Sequence, residues 1–358
     1  AGFTSCHEAI TAKEVSDRLD AGLVTMLRES SIRPDLAQLV RGVPDGAIAA
    51  GRVMLTGDGP SPAFLAAHGY QDRMVKVAID GGIEPIDALR MVTVNPADYF
   101  GFSDRGDIAV GRRADLNVLT DLTAPRPVLV MAGGTIIAEE GAQAGPPPLS
   151  WSSLIPPPDL PDLPADVFAP VEGPLPTLRF VNDVILEHVP DGDPAALHAV
   201  LVDRRGRWVT RARLAGFADH LGALATTISS AFDVLVIGRD PADMAAAYRH
   251  LRRRRGGIAV VEHGDEVFAL PLELGGIFSS RPWDDLVDLN RTFLAVLRTR
   301  GYRYADPLFS LLFLTFDSLP WVRMTSRGIW DVRQRTVLYP SQPVAREPGS
   351  PRKGVSST

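Results

Sequence analysis

The sequence predicts an α/β protein made of part of a (βα) barrel, a small β element and a separate C-terminal α+β domain. Three observations carry that expectation. Short apolar strands alternate with amphipathic helices as far as Gly101. The period then changes to short strands separated by glycine turns, and a proline-dense stretch precedes a second run of buried strands and helices. The expected boundaries are 1–103 for the barrel part, 104–145 for the small β domain, 146–176 for a Pro-rich linker, 177–340 for the C-terminal domain and 341–358 for a disordered tail.

Gly2 to Cys6 read as the end of a short strand, followed by His7-Glu8. Thr11 to Glu14 has the spacing of a capping box, so a helix opens there with Ile10, Val15 and Leu19 on one face and Gly22 at its end. Leu23 to Leu27 is a buried-strand pattern closed by the polar turn Arg28-Glu29-Ser30-Ser31. Pro34 suits the first residue of a short helix running to Val40. Arg52 to Thr56 is the next strand and ends in Gly57-Asp58-Gly59-Pro60. Helices are expected at about 69–79 and 85–92. Ala114–Leu119, Val128–Met131 and Thr135–Ala138 form the small β element, turned at Gly133-Gly134.

Prolines crowd the region from Gly145 to Pro176, including Pro146-Pro147-Pro148. Beyond it, Val234–Gly238 is a buried strand and Asp240-Pro241 caps a helix that ends in Arg252–Arg255. Ile258–Val261 pairs with Val267–Leu270 across His263-Gly264. The four arginines read as a solvated basic helix end beside the negative end of the helix dipole. Trp208, Trp283, Trp321 and Trp330 read as core or domain-interface residues.

Composition narrows the class further. The 358 residues allow two or three domains, with 37 Lys and Arg against 43 Asp and Glu for a net charge of −6. This balance is no footprint for a nucleic acid polymer. Cys6 is the lone cysteine, which excludes disulfide scaffolds and Cys-x-x-Cys zinc sites and fits a reducing cytoplasm. No apolar run is long enough to cross a membrane, so no membrane partner is expected. The chain opens at Ala1 inside structured sequence and so reads as a piece of a longer one.

Chemistry-bearing residues fall just after the strands. His7 and Asp58 each follow a strand, so in a barrel both project at the rim formed by the strands' C-terminal ends, where such folds carry their chemistry. An imidazole and a carboxylate there can hold a divalent metal and generate hydroxide near neutral pH. Against this, a lone histidine is ordinarily a satisfied surface or core group, and aspartate in Gly-Asp-Gly is ordinarily turn chemistry. Glu8 is a candidate to orient His7, or simply an exposed glutamate, and His68 is a pocket candidate because it lies soon after Asp58.

The ordered set of motifs adds to this. Ser5-Cys6-His7-Glu8, Thr11-x-x-Glu14, Leu19-x-x-Gly22, Arg28-Glu29-Ser30, Asp58-Gly59-Pro60 and Gly69-Tyr70-Gln71-Asp72 together resemble the adenine deaminase family of amidohydrolases. Asn95-Pro96-Ala97-Asp98 and Gly106–Leu116 are similar to the segment where an amidohydrolase barrel passes into its small β domain. Val236-Ile237-Gly238, Gly256-Gly257, Leu270-Pro271-Leu272 and Arg327-Gly328 are similar to the C-terminal domain of adenine deaminases.

The resemblance implies the C-terminal part of a metal-dependent (βα)8 amidohydrolase barrel, a small β composite domain and an adenine-deaminase-type α+β domain. It implies a divalent metal centre, binuclear in Mn, Fe or Zn, with His7 and Asp58 among its ligands. The reaction implied is hydrolytic deamination of adenine to hypoxanthine and ammonia in purine salvage. In it a metal-bound hydroxide attacks C6 and Asp58 moves the proton. The expected partner is a small-molecule purine, and a homo-oligomer stays open. The chain also departs from the family. Cys6 stands where an aspartate is usual, Gly59 where a second acid is usual, and Ser229–Asp233 where better-known members are His-rich. No His-x-His pair occurs, and the resemblance puts that pair and its companion ligands upstream of Ala1. Two alternatives follow: an amidohydrolase for another cyclic amidine or amide, and a catalytically incomplete or assembly module.

Overall fold

In the computed structural model, which describes residues 2–143, 151, 155–171 and 173–344, a short strand β1 (Ser5–Cys6) leads into helix α1 (Ala12–Asp20). The capping box is present: Thr11 Oγ1 accepts from the Glu14 N–H at 3.2 Å, and Glu14 Oε2 accepts from the Thr11 N–H at 3.2 Å. Val15 and Leu19 are buried, whereas Ile10 is 45% exposed because it precedes the cap and escapes the helical face expected for it.

Next come β2 (Val24–Arg28), α2 (Leu36–Leu39) with a 3-10 turn at Val40–Gly42, β3 (Val53–Thr56), α3 (Pro62–His68), α4 (Gln71–Asp80), α5 (Pro85–Arg90) and α6 (Val94–Phe100). The strands are parallel in the order β1-β2-β3. Leu27, Val53 and Leu55 pack with Leu36, Leu39, Met74, Ala78 and Met91 into one core. Gly42 lies against α1 so closely that a Cβ would sit 2.0 Å from the Ala12 carbonyl oxygen, and Ser16 Oγ donates to the Gly42 carbonyl at 2.9 Å. Helix α2 starts later than Pro34 predicts, because Asp35 takes the cap position and the Glu29 carboxylate accepts the Leu36 N–H at 3.3 Å. The expected polar turn at Arg28–Ser30 is also different. Arg28 belongs to β2, and Arg28, Glu29 and Ser30 are all buried. The reason is local pairing: Glu29 meets Arg73 of α4 at 2.7 Å, and Ser30 Oγ accepts the Arg33 N–H at 3.1 Å.

The small β element follows as an antiparallel sheet of β4 (Leu116–Leu119), β5 (Pro127–Ala132), β6 (Thr135–Glu139) and β7 (Ala142–Gln143). Its β5–β6 turn is the expected Gly133-Gly134 pair, at φ 56° and 83°.

The chain divides between residues 149 and 150 into two compact units. The second is built on one large sheet of β8 (Thr177–Phe180), β9 (Leu186–Val189), β10 (Leu197–Val202), β11 (Trp208–Ala215), β12 (Ala223–Thr226), β13 (Val234–Gly238), β14 (Gly257–Glu262) and β15 (Asp265–Pro271). Their spatial order is β15-β14-β12-β13-β10-β11-β8-β9. β13 shows why its sequence is an unbroken apolar run. Leu235 and Ile237 face one core with Phe217, Phe293 and Leu311, while Val234 and Val236 face another with Met244 and Tyr248. Helix α7 (Pro241–Arg254) covers the second face. Asp240 caps it through the N–H groups of Ala242 at 2.7 Å and Asp243 at 3.0 Å. The hairpin turn at His263-Gly264 has both residues at positive φ, 53° and 86°. Helices α8 (Trp283–Arg298) and α9 (Pro307–Phe313) lie on the first face. So does a three-stranded sheet of β16 (Val322–Thr325), β17 (Gly328–Asp331) and β18 (Thr336–Pro340).

Three expectations change here. The described part of the Pro-rich linker is no free connector: Leu160, Val167 and Phe168 are buried against α7, and Tyr248 donates its hydroxyl to the Pro161 carbonyl at 2.8 Å. Pro146-Pro147-Pro148 lies outside the described residues. The expected tail begins as strand β19 (Gln342–Pro343), paired with Trp208 and Val209 of β11; residues 345–358 lie outside the described residues. Trp283 is 48% exposed because it opens α8, which excludes the core alternative of its expected core or domain-interface place. Among the described residues no helix is long and apolar enough to cross a membrane.

Candidate functional site

The parallel register puts the ends of β1, β2 and β3 on one rim, with Arg28, the last residue of β2, paired with Thr56 of β3. His7 and Glu8 follow β1, and Asp58 follows β3. The rim is therefore assembled from loops held by a rigid sheet. Asp58 sits at φ 40° and Gly59 at φ 78°, two successive left-handed residues that turn the chain sharply after the strand. Aspartate tolerates that region and glycine is free in it, so the turn itself favours glycine at position 59 over a second acid. Gly57 is constrained differently: a Cβ there would meet the Tyr70 ring at 2.3 Å.

The side chains form a connected series. His7 Nε2 lies 3.2 Å from Glu8 Oε1, and Arg28 Nη1 donates to Glu8 Oε2 at 3.1 Å and to Asp58 Oδ2 at 3.1 Å. Arg28 Nη2 lies 3.8 Å from Asp35 Oδ2. The arginine is buried at 3% exposure, while His7, Glu8 and Asp58 reach solvent at 45%, 62% and 40%. Three carboxylates thus surround one guanidinium, which leaves the rim negative and suited to a cation or a cationic reaction centre.

His7, Glu8 and Asp58 are therefore brought to one place, as their positions after the strands predict. Glu8 is exposed, as one of its two readings has it, and it touches both His7 and Arg28, as the other requires. His68 ends α3 and is exposed, its ring 4.8 Å from that of Phe64. Cys6 Sγ accepts from Arg18 Nε at 3.2 Å, which ties α1 to the strand that carries His7. Arg28 is the residue that sequence reading missed. Its signal was a charge at the end of the middle strand of a buried βα pattern, where a side chain must aim at the rim. Imidazole nitrogen and carboxylate oxygen are donors that zinc, manganese and iron accept. Among the described residues, however, no group of three such donors is placed to hold a metal. His7 and Asp58 fit such an ion by type, as a part of a ligand set.

Residues 5–137, which carry the parallel βα segment and its carboxylate-rich rim, match a model of the amidohydrolase family. The second unit narrows this, because residues 179–336 match the adenine deaminase C-terminal domain. A Halalkalibacterium halodurans protein provisionally named an adenine deaminase is 37% identical over 362 residues, covering 95% of this chain and 61% of that protein. An adenine deaminase of Cereibacter sphaeroides is 33% identical over 358 residues, covering 94% and 62%. The chain belongs to the adenine deaminase family and spans about three fifths of the length of these curated relatives. Among solved structures, a β-aspartyl dipeptidase of Fervidobacterium islandicum aligns over 40% of this chain and 41% of its own at 18% identity. Its TM-score of 0.32 is too low to carry an argument.

Proposed function

We propose that the protein carrying this chain hydrolyses adenine to hypoxanthine and ammonia, with His7, Asp58 and Arg28 at the reacting end. The observation that carries the reading is the buried Arg28 gripping both Glu8 and Asp58 beside His7, in a chain whose second unit is of the adenine deaminase type. His7 and Asp58 would hold a divalent metal, which supplies Lewis-acid polarisation and lowers the pKa of water.

The remaining chemistry falls to the chain's own groups. Hydrolysis forms a C6–O bond and breaks the C6–N6 bond, and a proton must travel from the attacking water to the departing nitrogen. Arg28 holds Asp58 through Oδ2, and the carboxylate's other oxygen, Oδ1, is the one suited to take and return that proton. Glu8, held by the same guanidinium, keeps the His7 ring in a fixed orientation. Asp58→Asn preserves shape and removes the base. It should cut ammonia release from adenine by about a thousandfold or more while far-UV circular dichroism stays unchanged. Undiminished deamination by that variant would overturn the assignment.

A further inference from the structure

The second unit contains an open cavity of about 560 Å³ next to the turns of the β16–β18 sheet, and the deamination reading makes no use of it. The strand alternation explains its chemistry. Val322 and Met324 of β16, with Ile329 of β17, face the core. Arg323 and Thr325 lie on the opposite face, where Trp330 stands directly across from Arg323. Thr325 and Trp330 line the cavity, so Trp330 is a half-buried wall residue and not a core one.

Positive charge gathers around this ring. Arg327 in the β16–β17 turn and Arg335 in the β17–β18 turn both line the cavity. Among the described residues neither pairs with a carboxylate. Arg323 is wholly buried, and it donates only to backbone carbonyls: Nε to Leu319 at 3.0 Å, and Nη2 to Val184 at 2.7 Å and Pro320 at 2.6 Å. Among the described residues its Nη1 is buried without a partner. Burial lowers this guanidinium to about 9, so it is still charged at neutral pH and adds to the field on that face. Asp317 is the acid in the wall, and Ser318 and Ser326 add hydroxyls.

Arginine forks without a paired carboxylate suit a phosphate, a half-buried indole in a cavity wall suits a flat ring, and hydroxyls with one acid suit a sugar. The volume lies within the range of small-ligand sites. With a chain net charge of −6, a single nucleotide fits better than a polymer. We infer that this cavity binds a phosphorylated nucleoside, with Arg327 and Arg335 on the phosphate and Trp330 against the base.

The test is calorimetric titration of this chain with AMP, adenosine and inorganic phosphate, an assay that needs no deaminase activity. AMP should bind saturably and about tenfold or more tighter than either fragment. The Arg327→Gln/Arg335→Gln double variant, altered only at exposed turns, should weaken AMP by about tenfold or more. Trp330→Ala should weaken AMP but not phosphate. The inference is overturned if no heat saturates up to millimolar AMP, if phosphate alone binds as tightly, or if the double variant binds AMP like the parent.

Discussion

Arg28 and Arg323 are both arginines shut off from solvent, at 3% and 0% exposure, yet they are held by opposite means. Arg28 ends a strand and stands among the carboxylates of Glu8, Asp35 and Asp58, two of which reach water. Arg323 sits in mid-strand and touches three carbonyls from two separate loops, with no carboxylate beside it among the described residues. A buried cation that organises acids at a rim can be removed without emptying a core, because two of its three acids already reach water. A buried cation that binds backbone carbonyls is harder to remove, because its loss takes three hydrogen bonds with it at once. The first arrangement is the one proposed to serve chemistry, and the second serves structure.

Substitution to methionine should separate the two. Arg28→Met should lower adenine turnover about a hundredfold, through loss of Asp58 and Glu8 orientation, at a stability cost of about 1 kcal/mol. Kinetics and urea unfolding on the same preparation check this, and normal turnover would mean that the grip on Asp58 is only structural. Arg323→Met should do the reverse, costing about 3 kcal/mol in urea unfolding and leaving turnover intact. An unchanged midpoint would show that relief of the cation's desolvation matches the three lost hydrogen bonds.

A smaller effect sharpens the same contrast with an acid. Asp233 is buried, and desolvation raises its carboxyl to about 6, against which the Arg204 N–H bond at 3.1 Å works only in part. Its folded-state value is therefore above its unfolded one, so its contribution to stability is full below about 4 and is lost as pH rises through about 6. Stability of the second unit should gain on the order of 2 kcal/mol from this group between pH 7 and pH 4. Comparing unfolding of the parent and Asp233→Asn across that range checks it, and parallel pH curves would remove the group from the account.

Elements whose signals are local were legible in the sequence. The Thr11–Glu14 box, the Asp240-Pro241 cap and the His263-Gly264 turn each rest on a few neighbouring residues and appear as expected. His7 and Asp58 share a rim for a similarly simple reason, since parallel strands put their ends on one side. Burial of Arg28, Glu29 and Ser30 was not legible, because three polar residues in a row read as a solvated turn until their partners on α4 and the neighbouring loops are known. Helices α3 and α6 were missed because each has only seven residues and little apolar periodicity; none of the α3 residues is buried, and α6 is pinned by Asn95, whose Nδ2 donates to the Ile48 and Val53 carbonyls. The linker misled by composition. Prolines favour extended backbone, but extended backbone can still lay Leu160 and Phe168 into a core.

The place of β13 in its sheet has a consequence in time as well as in space. Its amides face paired strands on both sides, β10 and β12, and packed layers cover both of its faces. No local fraying exposes them, so their exchange with solvent deuterium proceeds only through unfolding of the whole second unit. Leu235 to Gly238, paired on both sides, should therefore act as a clock for that unit. The edge strands β9 and β15 each have a paired neighbour on one side in that sheet path and exchange sooner.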